Sequence, residues 1–318
     1  MNNPQQGRGD YTGSAPLSLI VPATAGSRRL DQILAELLPQ HSRNRLQTWV
    51  RDGRVHIDGV VETEPKRKLY GGEALLIWDA LDTQVTSEQP EDIPLNIVYE
   101  DEALLVINKP AGLVVHPGSG NWSGTLLNAL LHHYPQAESI PRAGIVHRLD
   151  KDTSGLMVVA KTLEAQTDLV RQLQARTVKR IYRALAIGVV DRDGVVDQPI
   201  GRHPVQRVKM AVVSEKRGGK PAVTHYRVIE IFGKCTLVEC SLETGRTHQI
   251  RVHMAHIGHP LLGDPVYGRN LPGMPPFPRQ ALHALRLGLI HPVSGLPMQW
   301  QVPLPDDMRQ LLDGLRYG

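Results

Sequence analysis

The sequence predicts an α+β protein in two parts: a small helix-and-hairpin module over residues 17–80, then a larger domain over 96–318 with a mixed, largely antiparallel central sheet. Three observations lead there. The chain has 318 residues, enough for two domains with a sizeable core. Helical and hairpin signals crowd the first part, and a polar, acidic, proline-interrupted stretch, "DTQVTSEQPEDIP" (82–94), marks a linker over 81–95. Beyond it strand-like runs outnumber helical ones, and turns rather than regular crossover helices separate neighbours.

Residues 1–16 read as a polar leader. "PLSLIVPATA" (16–25) has the short apolar core and A-x-A ending of a secretion signal, but Pro22 interrupts it and only Arg8 against Asp10 precedes it. Export is therefore set aside, and a cytoplasmic location is expected. In "RLDQILAELLP", Leu30, Ile33, Leu34, Leu37 and Leu38 recur at helical spacing as one apolar stripe that Pro39 closes. Ser42 is placed to cap a second helix, "RNRLQTWVRD", with Leu46, Trp49 and Val50 on one face and Gly53 past its end. Arg43, Arg45 and Arg51 fall off that stripe, free to face solvent or phosphate. Val55 and Ile57 alternate before an Asp58-Gly59 turn, a hairpin signal. "KRK" (66–68), a Gly71-Gly72 turn and the strand "ALLIW" (74–78) complete the module.

In the larger domain the strand runs are "NIVYED" (96–101), "ALLVINKP" (103–110), "LMVVAKT" (156–162), "YRALAIGVV" (182–190), "AVTHYRVIEI" (222–231) and "TLVECSLE" (236–243). Helical patterns lie among them at "GTLLNALLHHY" (124–134) and "LEAQTDLVRQLQAR" (163–176), and "NLPGMPPFP" (270–278) reads as a surface excursion. With 41% hydrophobic and 21% charged residues the composition excludes a disordered or fibrous chain. No apolar run approaches the roughly 18 residues of a membrane helix. Two cysteines, Cys235 and Cys240, argue against a disulfide-built secreted protein.

The net charge of +4 matters less than its distribution. Residues 28–68 hold nine Lys/Arg against six Asp/Glu, and residues 175–220 hold eleven against four. Between them, residues 81–102 carry seven acids and no base. Two basic blocks separated by an acidic stretch suggest a polyanion gripped in two places, although solvated faces would look the same.

Among the motifs, "DKDTSG" (150–155) invites a calcium loop, but the twelfth position, where a bidentate Glu belongs, is Lys161, and the following run is strand-like. "GSGNWSG" (118–124) has Ser123 where a dinucleotide fingerprint needs glycine. His248, His253, His256 and His259 lack an H-E-x-x-H pattern and any Cys or acid at ligand spacing, so no metal is expected. What remains is "GIVHRLDKDTSGLMVVAK" (144–161), a carboxylate in a Thr/Ser/Gly turn framed by two strands. Spacing alone leaves two readings open: an Arg148–Asp150 structural ion pair, or a rigidly presented catalytic acid.

"HRLDKDTSG" resembles the signature of the RluA-type pseudouridine synthases, whose catalytic aspartate matches Asp150. "VINKPAGLVVHPGSGN" (106–121), "KRIYRALAIG" (179–188), "ETGRTHQIRVHMAHIGHPLLGDPVYG" (243–268) and "RQALHALRLGLIHPVSG" (279–295) resemble further blocks of that family, in order. Residues 28–78 are similar to the S4-type RNA-binding domain that precedes the catalytic domain in several members. The resemblance implies a pseudouridine synthase fold and an isomerase that breaks a uridine's N1 glycosidic bond, turns the uracil and rebonds it through C5, without metal or cofactor. Asp150 must be ionised to act as nucleophile, and a dry pocket penalises the charge, so a cation is expected beside it. By resemblance this is Arg251. Tyr182 would stack on the uracil, and its hydroxyl is a candidate for removing the C5 proton, though a tyrosine of ordinary pKa (about 10) is a poor base at neutral pH.

Arg148, Leu149, Thr153, Arg246, His248 and Ile250 are expected around the substrate, with Leu149 and Ile250 as apolar walls. Arg43, Arg45, Arg51, Arg54, Lys66 and Arg67 in the first module, and Lys179, Arg180, Arg202, Arg207 and Lys209 in the second basic block, are expected on RNA phosphates. The implied partner is 23S ribosomal RNA or a large-subunit precursor, at the helix 69 loop, with neither membrane nor obligate protein partner. The alternatives are the same chemistry on another 23S or transfer-RNA uridine, or an inactive RNA-binding assembly factor of this fold.

Overall fold

The structure, a computed structural model, describes residues 16–39, 43–78, 89–118, 121–206, 209–269 and 272–317. Ser42, Arg207, most of the leader and residues 81–88 of the expected linker lie outside the described residues, as does the side chain of Arg45. The chain divides into two compact units, 1–86 and 87–318.

In the first unit the apolar stripes form α1 (Leu30–Leu37) and α2 (Arg43–Arg51). They pack on a sheet of β1 (Leu17–Ile20), β3 (Val55–Ile57), β4 (Val60–Glu62) and β6 (Ala74–Ile77), in the order β1-β6-β3-β4. A short pair, β2 (Arg28–Arg29) with β5 (Lys68–Leu69), closes the unit. Asp58 and Gly59 both take positive φ, 50° and 82°, as a tight two-residue hairpin requires. Leu30, Leu34, Leu46, Val50, Leu69 and Leu75 fill the core.

Arg43 is 45% exposed, as its place off the apolar stripe predicts, and its guanidinium also donates twice to Asp31, which is fully buried and receives further hydrogen bonds from Arg29 and Gln47. A carboxylate withdrawn from water needs such partners, so the cation is committed to holding α2 against α1.

The second unit is built on a nine-stranded sheet. Its strands are β7 (Ile97–Glu100), β8 (Leu104–Lys109), β9 (Ser154–Ala160), β10 (Lys179–Ile187), β11 (Gly194–Asp197), β14 (Val223–Phe232), β15 (Cys235–Leu242), β16 (Leu282–Ile290) and β17 (Pro297–Gln301). The order is β11-β14-β15-β10-β16-β9-β8-β7, with β17 also on β16. Every pairing is antiparallel except β9 with β16, so the sheet is mixed and largely antiparallel. A separate hairpin joins β12 (Ile200–Arg202) to β13 (Met210–Val212).

Over the central strands β8 and β9 both faces of the sheet are covered, which explains their continuous apolar runs. Along β8 and β9, Leu105, Ile107, Met157 and Val159 face one core with α3 (Leu126–His133), while Leu104, Val106, Leu156 and Val158 face another with α4 (Leu163–Gln174). Thr125 and Thr162 cap these helices through their hydroxyls. Helix α5 (Gln249–His256) joins the first core through Ile250 and Met254, and α6 (Asp306–Tyr317) packs Met308 and Leu312 against Leu185 and Ile187 of β10.

The parallel crossing of β9 and β16 is tight: a Cβ on Gly155 would stand 2.2 Å from the Ala284 carbonyl oxygen, and its φ of 115° excludes ordinary side chains.

The segment before Asp150 corrects the expectation of two framing strands. Residues 141–144 form a 3₁₀ turn, and only Ile145 bridges to the sheet, at Val159. Beyond that bridge the imidazole of His147, not a backbone carbonyl, accepts the Val158 N–H. One strand and one irregular arm therefore hold the turn.

Candidate active site

The turn at Asp150 lies between that arm and β9. Its backbone is fixed from three directions: Thr153 N–H donates to the Asp150 carbonyl, Lys109 Nζ to the Lys151 carbonyl at 2.9 Å, and Arg279 Nη1 to the Asp152 carbonyl at 3.0 Å. Lys109 is fully buried and also donates to the carbonyls of Pro110 and Leu113, so all three ammonium hydrogens have acceptors. Arg279 is anchored in turn by two hydrogen bonds to Asp307 at the start of α6.

The Asp150 carboxylate accepts from Arg251 Nη1 at 2.9 Å, across 101 residues of chain. Of the two cations weighed from the sequence, it is Arg251 that pairs with Asp150; Arg148 is exposed and lines the same cleft. The Arg251 side chain is 5% exposed and that of Asp150 18%, leaving one oxygen of Asp150 toward the cleft. Arg251 is oriented from behind by Asp264, whose side chain is inaccessible to solvent and which accepts from Nε at 2.7 Å and Nη2 at 2.9 Å. Burial alone would weaken the cation, but Asp264, and then Asp150, more than offset it and hold the Arg251 pKa above its ordinary value. Burial likewise opposes the Asp264 charge, and Arg251 with the N–H groups of Tyr267 and Val266 holds its pKa low.

The cleft has a volume of about 590 Å³. Leu149, Tyr182, Ile250 and Leu282 give it an apolar floor, and Thr153, Arg148, Arg246 and His248 line it with Asp150. Tyr182 is buried, and that burial pushes its phenol pKa up, so the hydroxyl keeps its proton more firmly. Thr153 accepts from Gln280, and Arg246 donates to the Pro221 carbonyl. His248 begins α5 with a left-handed φ of 57°.

The remaining cationic residues are dispersed. Two-residue periodicity along β10 turns Arg180 to the same side as Tyr182, where it is buried in the cleft wall and donates to the Glu243 carbonyl, while Lys179 faces out. Arg202 is exposed at the end of β12, and Lys209 is half-buried. In the first unit Arg51 donates to Gln47, Arg67 pairs with Glu62, and Lys66 is exposed beside it; the Arg54 carbonyl accepts from Trp78.

Three of the four histidines weighed as metal ligands spend ring nitrogens on hydrogen bonds: His248 on the Tyr267 hydroxyl, His253 on Thr224 and the Gln198 carbonyl, His259 on the Ile187 carbonyl. Sequence reasoning did not single out Asp264, Tyr267, Lys109 or Arg279. All four lie inside the quoted blocks, but their roles depend on turns that bring them beneath Asp150.

Comparison with known proteins agrees with this architecture. Residues 103–256 match the sequence profile of the RNA pseudouridylate synthase family, and residues 28–75 match that of the S4 domain. The chain is 57% identical over 314 residues to the ribosomal large subunit pseudouridine synthase D of Nitrosomonas europaea, covering 97% of this chain and 90% of that protein. It is 54% identical over 300 residues to the protein of that name from Escherichia coli K12, covering 91% of each. Among solved structures, human RNA pseudouridylate synthase domain containing 4 superposes with a TM-score of 0.55 at 27% identity, covering 74% of this chain and 97% of that one. With a paired Asp150 and Arg251 in an apolar cleft, and with these relatives along nearly its whole length, the chain belongs to the RNA pseudouridylate synthase family and carries an S4 domain ahead of its synthase domain.

Proposed function

We propose that this protein isomerises uridines of large-subunit ribosomal RNA, at the helix 69 loop of 23S RNA, with Asp150 as nucleophile. The observation that carries the reading is the Asp150–Arg251 pair at 2.9 Å, opening onto a cleft floored by Leu149, Tyr182, Ile250 and Leu282. Arg251 sets a fixed cation against the carboxylate, and an apolar floor suits the face of a uracil ring. Covalent attack by Asp150 divides a difficult bond exchange into two easier steps. Nothing is oxidised and no group leaves the RNA, so the chemistry calls for no cofactor.

A uracil stacked in a stem cannot reach such a cleft, so the target nucleotide must turn out of its helix. Arg142, Arg148, Arg176 and Arg246 around the cleft, with the S4 domain, supply positive charge for the surrounding phosphates. The large-subunit target is supported by relatives named for the ribosomal large subunit. A cytoplasmic site of action follows from that substrate, and among the described residues no helix is long and apolar enough to cross a membrane.

The test is tritium release from uracil C5 in unmodified transcripts of large-subunit RNA and of transfer RNA. Release confined to the large-subunit transcript, mapped to the helix 69 loop, is expected. Release from transfer RNA alone would overturn the assignment of substrate.

A further inference from the structure

Behind the cleft a chain of hydrogen bonds decides which nitrogen of His248 carries its proton. The backbone N–H of Met210 donates to Tyr267 Oη at 2.9 Å. Tyr267 Oη also lies 2.9 Å from His248 Nδ1. A backbone nitrogen only donates, so the phenol oxygen accepts there and its own hydrogen is free for Nδ1. The reverse arrangement, with Nδ1 donating, would leave the phenol hydrogen with no acceptor among the described residues. With the phenol donating to Nδ1, the ring hydrogen of His248 sits on Nε2, which lies 3.9 Å from Asp150 Oδ1. That gap is too long for a direct hydrogen bond.

We propose that His248 is a further catalytic residue of this cleft, a neutral imidazole whose Nε2–H is aimed at a carbonyl oxygen of the target uracil, and that Tyr267 is the positioning residue that fixes this tautomer. The proposal rests on the reading of the cleft as a uridine isomerase.

The frame is rigid enough for the role. His248 is locked at the head of α5 by its left-handed backbone, and the His248 and Tyr267 rings meet edge-to-face, 5.7 Å apart at 75°. Asp264 Oδ1 accepts the Tyr267 N–H, and the Arg251 guanidinium lies 5.2 Å from the centre of the Tyr267 ring. Asp264 thus holds both the cation beside the nucleophile and the tyrosine behind the imidazole. Burial pushes the His248 pKa below its ordinary value, in keeping with a neutral ring.

The chemistry needs such a donor. When the bond between N1 and the ribose carbon breaks, its electron pair stays with the uracil and charge spreads to the carbonyl oxygens. A fixed N–H at one of them binds more strongly as that charge develops. The proton stays on Nε2, and no group is transferred.

The experiment begins with ¹⁵N resonances of the imidazole ring in the full chain. An Nε2–H tautomer is expected in the wild type, and a mixture of tautomers in Tyr267→Phe. Steady-state tritium release then compares variants. His248→Ala should lower kcat by about 100-fold with KM little changed. His248→Gln, which can put an N–H donor near the same point, should recover about tenfold of that loss, and Tyr267→Phe should fall between wild type and His248→Ala. An Nδ1–H tautomer in the wild type, a Gln variant no better than Ala, or a loss confined to KM would overturn the proposal. If Asp150→Asn is inactive while His248→Ala is fully active, only this inference fails. If Asp150→Asn is itself active, the reading of the cleft fails.

Discussion

Asp264→Asn is the substitution whose outcome the geometry constrains most closely. The wild-type carboxylate gives both oxygens to Arg251, and one of them also accepts the N–H groups of Val266 and Tyr267. Asparagine keeps one acceptor and turns an NH₂ group toward a guanidinium that has only donors to offer. Arg251, 5% exposed, would be left with Asp150 as its single carboxylate. Removing one partner of a buried ion pair costs about 3–5 kcal/mol, a large share of the roughly 5–15 kcal/mol that holds a domain together. For a domain of this size each kcal/mol shifts the midpoint by about 2–4 °C, so the synthase domain should melt about 6–20 °C lower. Scanning calorimetry of the full chain reads this, because the transitions of the two units can be fitted separately. A cycle with Arg251→Met isolates the coupling: once the cation is gone, Asp264→Asn should cost nothing or stabilise. A midpoint within about 2 °C of wild type, or costs that simply add, would refute the reasoning.

Other consequences are more local. Gly155→Ala should break the parallel contact of β9 with β16, because the new methyl would meet the Ala284 carbonyl at 2.2 Å; loss of soluble protein or of the cooperative transition is expected, and a normal melting curve would contradict it. Burial pushes the pKa of His147 down to about 3 and those of His116 and His283 to about 4, the nearby arginines adding to the effect. Each is neutral when folded but takes a proton when unfolded below about pH 6.5, so their stabilisation is complete above that pH and drains as pH falls toward 4, by about 1.4 kcal/mol per pH unit for each group. Urea midpoints should therefore be flat from pH 7 to 8 and drop steeply below about pH 6; a flat profile down to pH 4.5 would show that these rings are not held neutral. Asp31→Ala should destabilise the first unit by about 2–3 kcal/mol while leaving the synthase transition unmoved, since Asp31 joins Arg29, Arg43 and Gln47 within that unit.

Much of the first unit was legible because its helices carry clean apolar stripes and its hairpin carries an Asp58-Gly59 turn whose backbone demands are local. The contact of Arg43 with Asp31 was not legible, for a related reason. Periodicity says which side of a helix is polar, but not that Asp31 on the neighbouring helix is sealed from water and recruits the cation. In the second unit the continuous apolar strands were visible, whereas the segment before Asp150 was mistaken for a strand because "GIV" is apolar. Its geometry is set by Gly144, where φ is 78° and a Cβ would stand 1.9 Å from the Ala160 carbonyl oxygen, and by the His147 ring, which accepts the Val158 N–H.

The cleft itself shows the limit of spacing arguments. Nothing in the interval of 101 residues joins Asp150 to Arg251; resemblance supplied the pair, and folding brings it to 2.9 Å. Asp264 and Tyr267 lie 13 and 16 residues beyond Arg251, and no periodicity links them to it. Their roles arise from a turn in which Asp264 accepts two backbone N–H groups while reaching back to the guanidinium.

The central claim, that Asp150 carries the isomerisation, is tested most directly by single-turnover tritium release from C5-labelled, unmodified large-subunit RNA with wild type and Asp150→Asn at saturating enzyme. The account predicts release by the wild type, none above background by the variant, and equal RNA binding by both. Release by Asp150→Asn at the wild-type rate would contradict it and place the nucleophile elsewhere.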